Sequence, residues 1–389
     1  MHTQEHNPKS RWWLNVVVVL TVVALAAWLW HRRTQPGVAP VANETAATNT
    51  TASILAAPSK PVPAGSSKSK LQEFTVRLSA APDAKAARPQ LAELRAMLAA
   101  MPAKEAVAEI RRLLDSRADA PTRLGFKVAS SGGLDEAPTL RTFLLDEMAR
   151  LDPAAAAEYA KVILASKDSP DEWAVALRNL ARGDASAEGR ALLEQKTGEL
   201  LQHEPWQAGP SVGYLEAFDA AVFVGGTNLL PALSDLVRRK DNQAVAHASF
   251  LTLDRLVIND AVPTLTALQA APDWMEGREQ TRANYFARGD VRDPRQREIL
   301  ENYFSNPKLS AAELEAFAGT FPNANYMISA NLLTENRTPD HGTLATRDAE
   351  SLRVVQQWMA DPRFAKQRPA LEKISRRLEE FVRQANQGK

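Results

Sequence analysis

From residue 70 onward the apolar residues return at intervals of three and four, and this period constrains the chain more than any other feature. Val107, Ile110 and Leu114 stand at i, i+3 and i+7. Leu140, Phe143, Leu144, Met148 and Leu151 form a second stripe, and Trp173, Leu177 and Leu180 a third. The series continues through Leu215, Phe218 and Val222, then Leu314, Phe317 and Phe321, then Leu371, Ile374, Leu378 and Phe381. Residues so spaced share one face of an α-helix and would scatter over both faces of a strand. Start signals fall where the stripes begin. Asp152-Pro153 and Ser169-Pro170 each set a capping side chain before a proline at the first helical position, and Met101-Pro102 divides two helical stretches. The fold class is therefore all-α: helices of about 10–18 residues on short links, packed as antiparallel pairs. The run Ala154, Ala155, Ala156 and Ala157 favours helix and lets neighbours approach closely.

Composition narrows the function classes. Hydrophobic residues make up 45% of the 389 and charged residues 24%, which suits a folded chain with a sizeable core. A net charge of +1 provides no bulk attraction to nucleic acid, so nucleic acid is not an expected partner. Cysteine is absent, which excludes disulfides, thiolate catalysis, cysteine-ligated zinc and iron–sulfur clusters.

The N-terminal part reads differently. Residues 12–30, WWLNVVVVLTVVALAAWLW, carry no charge and span about 30 Å as a helix, the thickness of a bilayer core. Tryptophans at both edges fit the headgroup belt, Lys9 and Arg11 precede the run, and Arg32 and Arg33 close it. A signal peptide cleaved near Ala24-Leu25-Ala26 is the rival reading, but the run continues past that point to a basic stop. The organisation expected is a short tail (1–11), a transmembrane helix (12–30), a flexible linker rich in Pro, Ala, Ser and Thr (31–69) and an all-helical domain (70–389). This order suits a single-pass protein of a bacterial inner membrane with its main domain in the periplasm; a cytoplasmic domain is the alternative.

Within the helical domain one segment echoes another. Asn228-Leu229-Leu230-Pro231-Ala232-Leu233 returns 32 residues later as Asp260-Ala261-Val262-Pro263-Thr264-Leu265. Between them lie Asp241-Asn242-Gln243-Ala244-Val245-Ala246-His247-Ala248 and then Leu251, Leu253 and Leu256. Residues 227–270 resemble a HEAT-like repeat, with its aspartate, its small residues along the inner helix and a Val-Pro-x-Leu opening the next. Two positions depart from that pattern: Ala246 stands where arginine is common, and Asp254 where glycine often ends the helix. The resemblance implies helix pairs stacked as an α-solenoid superhelix, used as a scaffold or adaptor that binds a protein.

Chemistry is sparse. His203, His247 and His341 are the histidines of the helical domain, and no two take the i, i+4 spacing of a zinc site. His203 reads as the polar end of a helix and His247 as a satisfied inter-helix residue. Gly225-Gly226 lacks the lysine and spacing of a phosphate loop, and Ser130-Ser131-Gly132-Gly133 reads as a connector between helices. No catalytic residue, metal ligand or cofactor is expected. Residues 278–297 hold Arg278, Arg282, Arg288, Arg292, Arg295 and Arg297 with Tyr285 and Phe286 interleaved, and these arginines are the candidate partner-binding residues. A solvated face with salt bridges is the plainer account of them. The reading is thus a membrane-anchored, non-enzymatic interaction scaffold. An envelope enzyme or polysaccharide-binding factor with a site near the 334–345 loop, where Asp340 precedes His341, is the alternative.

Overall fold

The computed structural model describes residues 70–336 and 341–387, apart from the side chain of His341. The expected tail, membrane helix and linker over 1–69 lie outside the described residues. Among those described, no helix is long and apolar enough to cross a membrane.

The described chain is mostly helical. Helices α1 (Lys70–Ala80), α2 (Ala84–Ala99) and α3 (Ala103–Asp115) pack on one another and bury Leu78, Leu94 and Ile110. A short antiparallel hairpin, β1 (Lys127–Val128) with β2 (Leu134–Glu136), follows. Ser130-Ser131-Gly132-Gly133, expected to link helices, is instead the turn of this hairpin. Gly132 has φ +76°, and a Cβ there would collide with Arg182 Nη2 and the carbonyl oxygen of Leu332.

The helices then run on in succession. They are α4 (Leu140–Leu151), α5 (Pro153–Ile163), α6 (Pro170–Gly183) and α7 (Ala187–Leu201), followed by the short α8 (Glu204–Ala208), α9 (Val212–Glu216) and α10 (Asp219–Val224). Asp152 and Ser169 cap α5 and α6 through the N–H groups of Ala155 and Glu172, as their sequence implies. The stripe Leu215, Phe218, Val222 is divided between α9 and α10 rather than lying on one helix. Next come α11 (Leu230–Val237), α12 (Gln243–Asn259), α13 (Ala261–Ala270), α14 (Glu279–Phe286), α15 (Pro294–Phe304) and α16 (Ala311–Thr320). The last two are α17 (His341–Ala360) and α18 (Arg368–Gln387), packed on each other.

One core runs through these elements. Its second half is aromatic: Phe286 stacks on Tyr303 at 3.9 Å, and Phe304, Phe317, Phe321, Trp358 and Phe364 surround them. Each such side chain contributes about 1.5–3 kcal/mol by leaving water. The sequence stripes become these buried faces, except that Phe381 is left substantially exposed.

Side-chain hydrogen bonds tie alternate helices, or the residues flanking them, at a nearly constant spacing. Arg141 to Glu172, Arg178 to Asp146, Asn242 to Gln207, Arg255 to Asp219, Tyr285 to Phe250 and Arg288 to Asp254 all link residues 31 to 36 apart. Asp254, the departure from the repeat pattern, is one rung of this ladder.

Candidate functional site

Between α16 and α17 the chain leaves helical structure and lies across helices that precede it. This strap, 322–336, is held largely by its main chain. Asn323 donates its N–H to the Ala287 carbonyl at 2.7 Å, and its own carbonyl accepts from Arg288 Nη1 at 3.3 Å and Arg347 Nη1 at 3.1 Å. Further along, Leu332 is buried, and its carbonyl accepts from Arg182 Nη2 at 2.8 Å. The N–H groups of Leu333 and Thr334 both donate to Asp219 Oδ2, at 2.6 and 3.0 Å. Asp219 Oδ1 in turn accepts from Arg255 Nη1 at 2.7 Å and from the Thr334 hydroxyl. Amides and carbonyls of an extended segment are thus met by charged side chains of α6, α10 and α17 and by Arg288 just past α14, a stronger kind of hydrogen bond than one between neutral groups.

Between these anchors the strap rises into solvent. Met327 is 58% exposed and Ile328 76%. Beside them Tyr326 lies under the Arg288 guanidinium, 5.4 Å from carbon to ring centre. Tyr326 and Ile258 separate two clefts. The larger, about 340 Å³, is walled by Leu215, Phe218, Leu251 and Met327, with Glu216 and Glu335 facing into it. The smaller, about 200 Å³, is bounded by Arg288, Arg292 and Arg347.

Glu216 sits in an apolar wall and makes no hydrogen bond or ion pair among the described residues. Burial, with the nearby Asp219 charge adding to it, raises its carboxyl above the usual carboxylate range. The native state therefore keeps the proton to higher pH than the unfolded chain does. Native stability from this group falls as pH rises between the ordinary carboxylate value and the raised one. Replacing Glu216 by glutamine is expected to raise the thermal midpoint at pH 7.5. The gain should vanish below about pH 4, where the native and unfolded wild-type chains both carry the proton. A loss of stability at pH 7.5 would mean that the carboxylate has a cationic partner.

The six arginines are not one patch. Arg282 is buried over Phe286 and Tyr303, 3.6 Å from Glu313, and Arg278 donates to the Arg239 carbonyl. Arg297 turns back to the carbonyl of Val291, and exposed Arg295 stands by Asp293, the cap of its own helix. Arg288 and Arg292 meet at the smaller cleft. His203 packs edge-on against Trp206 just past α7, as a helix end should. His247, expected between helices, is exposed, stacks on Phe250 and lines the larger cleft. Residues 341–345 of the expected 334–345 loop belong to α17, while Glu335 and Asn336 line the larger cleft; Asp340 lies outside the described residues.

Sequence reasoning missed Asp219, Glu216 and Arg347. An acid flanked by Phe218 and Ala220 in an apolar run could have flagged Asp219; nothing marks the others. Among the described residues no group of three or more His, Asp or Glu could hold a metal ion. No family model and no curated protein matches this sequence.

Proposed function

We propose that this chain is a single-pass, membrane-anchored scaffold that holds a protein partner on a HEAT-like helical surface, with 70–389 in the periplasm. One observation carries the reading: side chains of several helices grip the main chain of an extended segment, the strap. A surface that meets the amides and carbonyls of its own extended polypeptide has the chemistry to hold another's. The ladder of bonds 31 to 36 residues apart supports the helix-pair rhythm of the HEAT-like reading. The exposed Met327 and Ile328 beside an apolar cleft supply the apolar contact such a partner needs. An anchor at 12–30 would concentrate the domain near partners of the same membrane.

The test is cross-linking in native membranes, comparing the full chain with a control carrying only 1–69. A defined protein set should follow the full chain alone. Replacing Met327 and Ile328 together by glutamate should reduce that capture about tenfold or more while leaving the thermal midpoint within about 2 °C, because both side chains are mostly solvated. Capture equal to that of the control would sink the scaffold.

The alternative, an envelope enzyme or polysaccharide-binding factor, draws on Glu216, a carboxyl raised above its usual range by burial in an apolar cleft lined also by Glu335 and Asn336. That reading requires Glu216→Gln to abolish activity on an envelope substrate. The scaffold requires the same variant to leave capture intact.

A further inference from the structure

We propose that the cleft bounded by Arg288, Arg292 and Arg347 is a binding site for a phosphate-type oxyanion. The starting observation is an imbalance of charge. Arg288 is paired through two nitrogens with Asp254, at 2.9 and 2.7 Å, and Arg292 with Asp290 at 2.7 Å. Arg347 has no such partner among the described residues. It is only 7% exposed, yet among those residues its guanidinium bonds to neutral acceptors, the carbonyls of Asn323, Arg288 and Gly289, and its Nε is left unpaired. A buried cation without a counter-ion is strongly unfavourable, and carbonyl dipoles offset only part of that.

Among the described residues the charged groups at this place are few, and Asp348, next to Arg347 in the chain, lies within its field without an ion pair to it. Arg288, Asp290, Arg292 and Arg347 line the cleft, and Asp254 stands behind Arg288. Among the described residues that line the cleft or pair with its lining, three arginines meet two carboxylates, and the arginine left without an ion pair is the buried Arg347. Glu350, near Arg292, is engaged by Arg353 at 2.9 Å. Burial holds the Arg347 guanidinium below its usual value, and the facing Arg288 and Arg292 add to this, while Asp290, already paired with Arg292, offsets part of it. Tyr326 lines the same cleft, and its hydroxyl, which makes no hydrogen bond among the described residues, is available to donate to a bound oxygen. The volume of about 200 Å³ accommodates a tetrahedral oxyanion with a short ester arm, and planar guanidinium forks match paired oxygens of such an anion.

The experiment uses the full chain. Thermal midpoints are measured against inorganic phosphate, with chloride at matched ionic strength as the reference. A saturable rise in phosphate beyond the chloride reference is expected. Arg292→Ala, at an exposed position, should weaken the apparent affinity about tenfold, and Tyr326→Phe should weaken it by less. Arg295→Ala, outside the cleft, should not change it. Arg347→Gln should abolish the effect; if that variant fails to fold, Arg292→Ala and Tyr326→Phe carry the test. Glycerol phosphate in place of inorganic phosphate separates the sources: tighter binding of the ester points to a lipid headgroup, and equal or weaker binding to the free anion. The proposal is overturned if phosphate does no more than chloride, or if Arg295→Ala weakens binding as much as Arg292→Ala.

Discussion

Replacing Arg178 by methionine is expected to lower the free energy of unfolding by about 3–5 kcal/mol, read as a drop in the urea midpoint with an unchanged slope. Arg178 and Asp146 are each 1% exposed and meet at 2.6 Å. Asp146 Oδ1 also accepts from the N–H of Leu134, and Arg178 Nη1 also donates to the carbonyl of Gly132. The pair therefore joins α4 to α6 and fastens both to the β1–β2 hairpin. Methionine fills much of the same space, but it leaves a buried carboxylate whose Oδ2 already lacks a partner. The cost comes from that stranded charge rather than from lost attraction. Changing Asp146 to leucine in the same chain should recover most of the loss. Recovery should stop short of wild type, since the Gly132 carbonyl and the Leu134 N–H keep no substitute. If the double variant is no more stable than Arg178→Met alone, the stranded charge is not the cause. Fluorescence of Trp173, on the same helix and fully buried, reports the transition.

This pair also shows where the sequence is legible and where it is not. Trp173, Leu177 and Leu180 predict α6 and its buried stripe, and Ser169-Pro170 predicts its start; both follow from local spacing and local capping. Nothing local marks Arg178 as buried. Its burial depends on an aspartate 32 residues away and on a hairpin turn read from sequence as a plain connector. The arginines of 278–297 make the same point in reverse. Counted along the chain they form a cluster, but Arg282 turns to Glu313, Arg288 to Asp254 and Arg278 to the Arg239 carbonyl, while Arg292, Arg295 and Arg297 stay with Asp290, Asp293 and the Val291 carbonyl beside them. The three long-range partners take Arg278, Arg282 and Arg288 away from the rest and divide the cluster among different jobs. Helical period is written in neighbours, so the all-α architecture is legible. The clefts are made by a non-helical strap crossing distant helices, and no periodicity records where such a segment settles.

The strap supplies the second large effect, and it is local. Asp219→Ala removes at once the acceptor for the N–H groups of Leu333 and Thr334 and for the Thr334 hydroxyl, and it leaves Arg255 without its carboxylate. Charge-assisted bonds of this kind contribute about 1.5–3 kcal/mol each, so opening of this end of the strap should become easier by at least about 3 kcal/mol. Amide hydrogen exchange at Leu333 and Thr334 should accelerate by about a hundredfold, while amides in α4 and α6 exchange as before. The contrast with Arg178→Met is the informative part. That variant weakens the body of the fold, whereas this one frees a segment that contributes little to the core apart from Leu332. A uniform rise in exchange across all helices would mean that the strap is integral to the core rather than laid upon it. The same variant bears on the scaffold. Asp219 meets main-chain amides of the strap, so a partner bound in the same manner needs that carboxylate, and Asp219→Ala should lose capture even though it clears the surface. Asn331→Ala offers the complementary case. It removes bonds internal to the strap, from Asn331 to the Thr334 carbonyl and to Asn336, and keeps the carboxylate in place. If the strap occupies the partner's place, loosening it this way should strengthen capture. If the strap is itself part of the binding surface, with Met327 and Ile328 at its crest, capture should fall with both variants. The direction of the Asn331 effect therefore decides whether this segment is the occupant of the helical surface or its working edge.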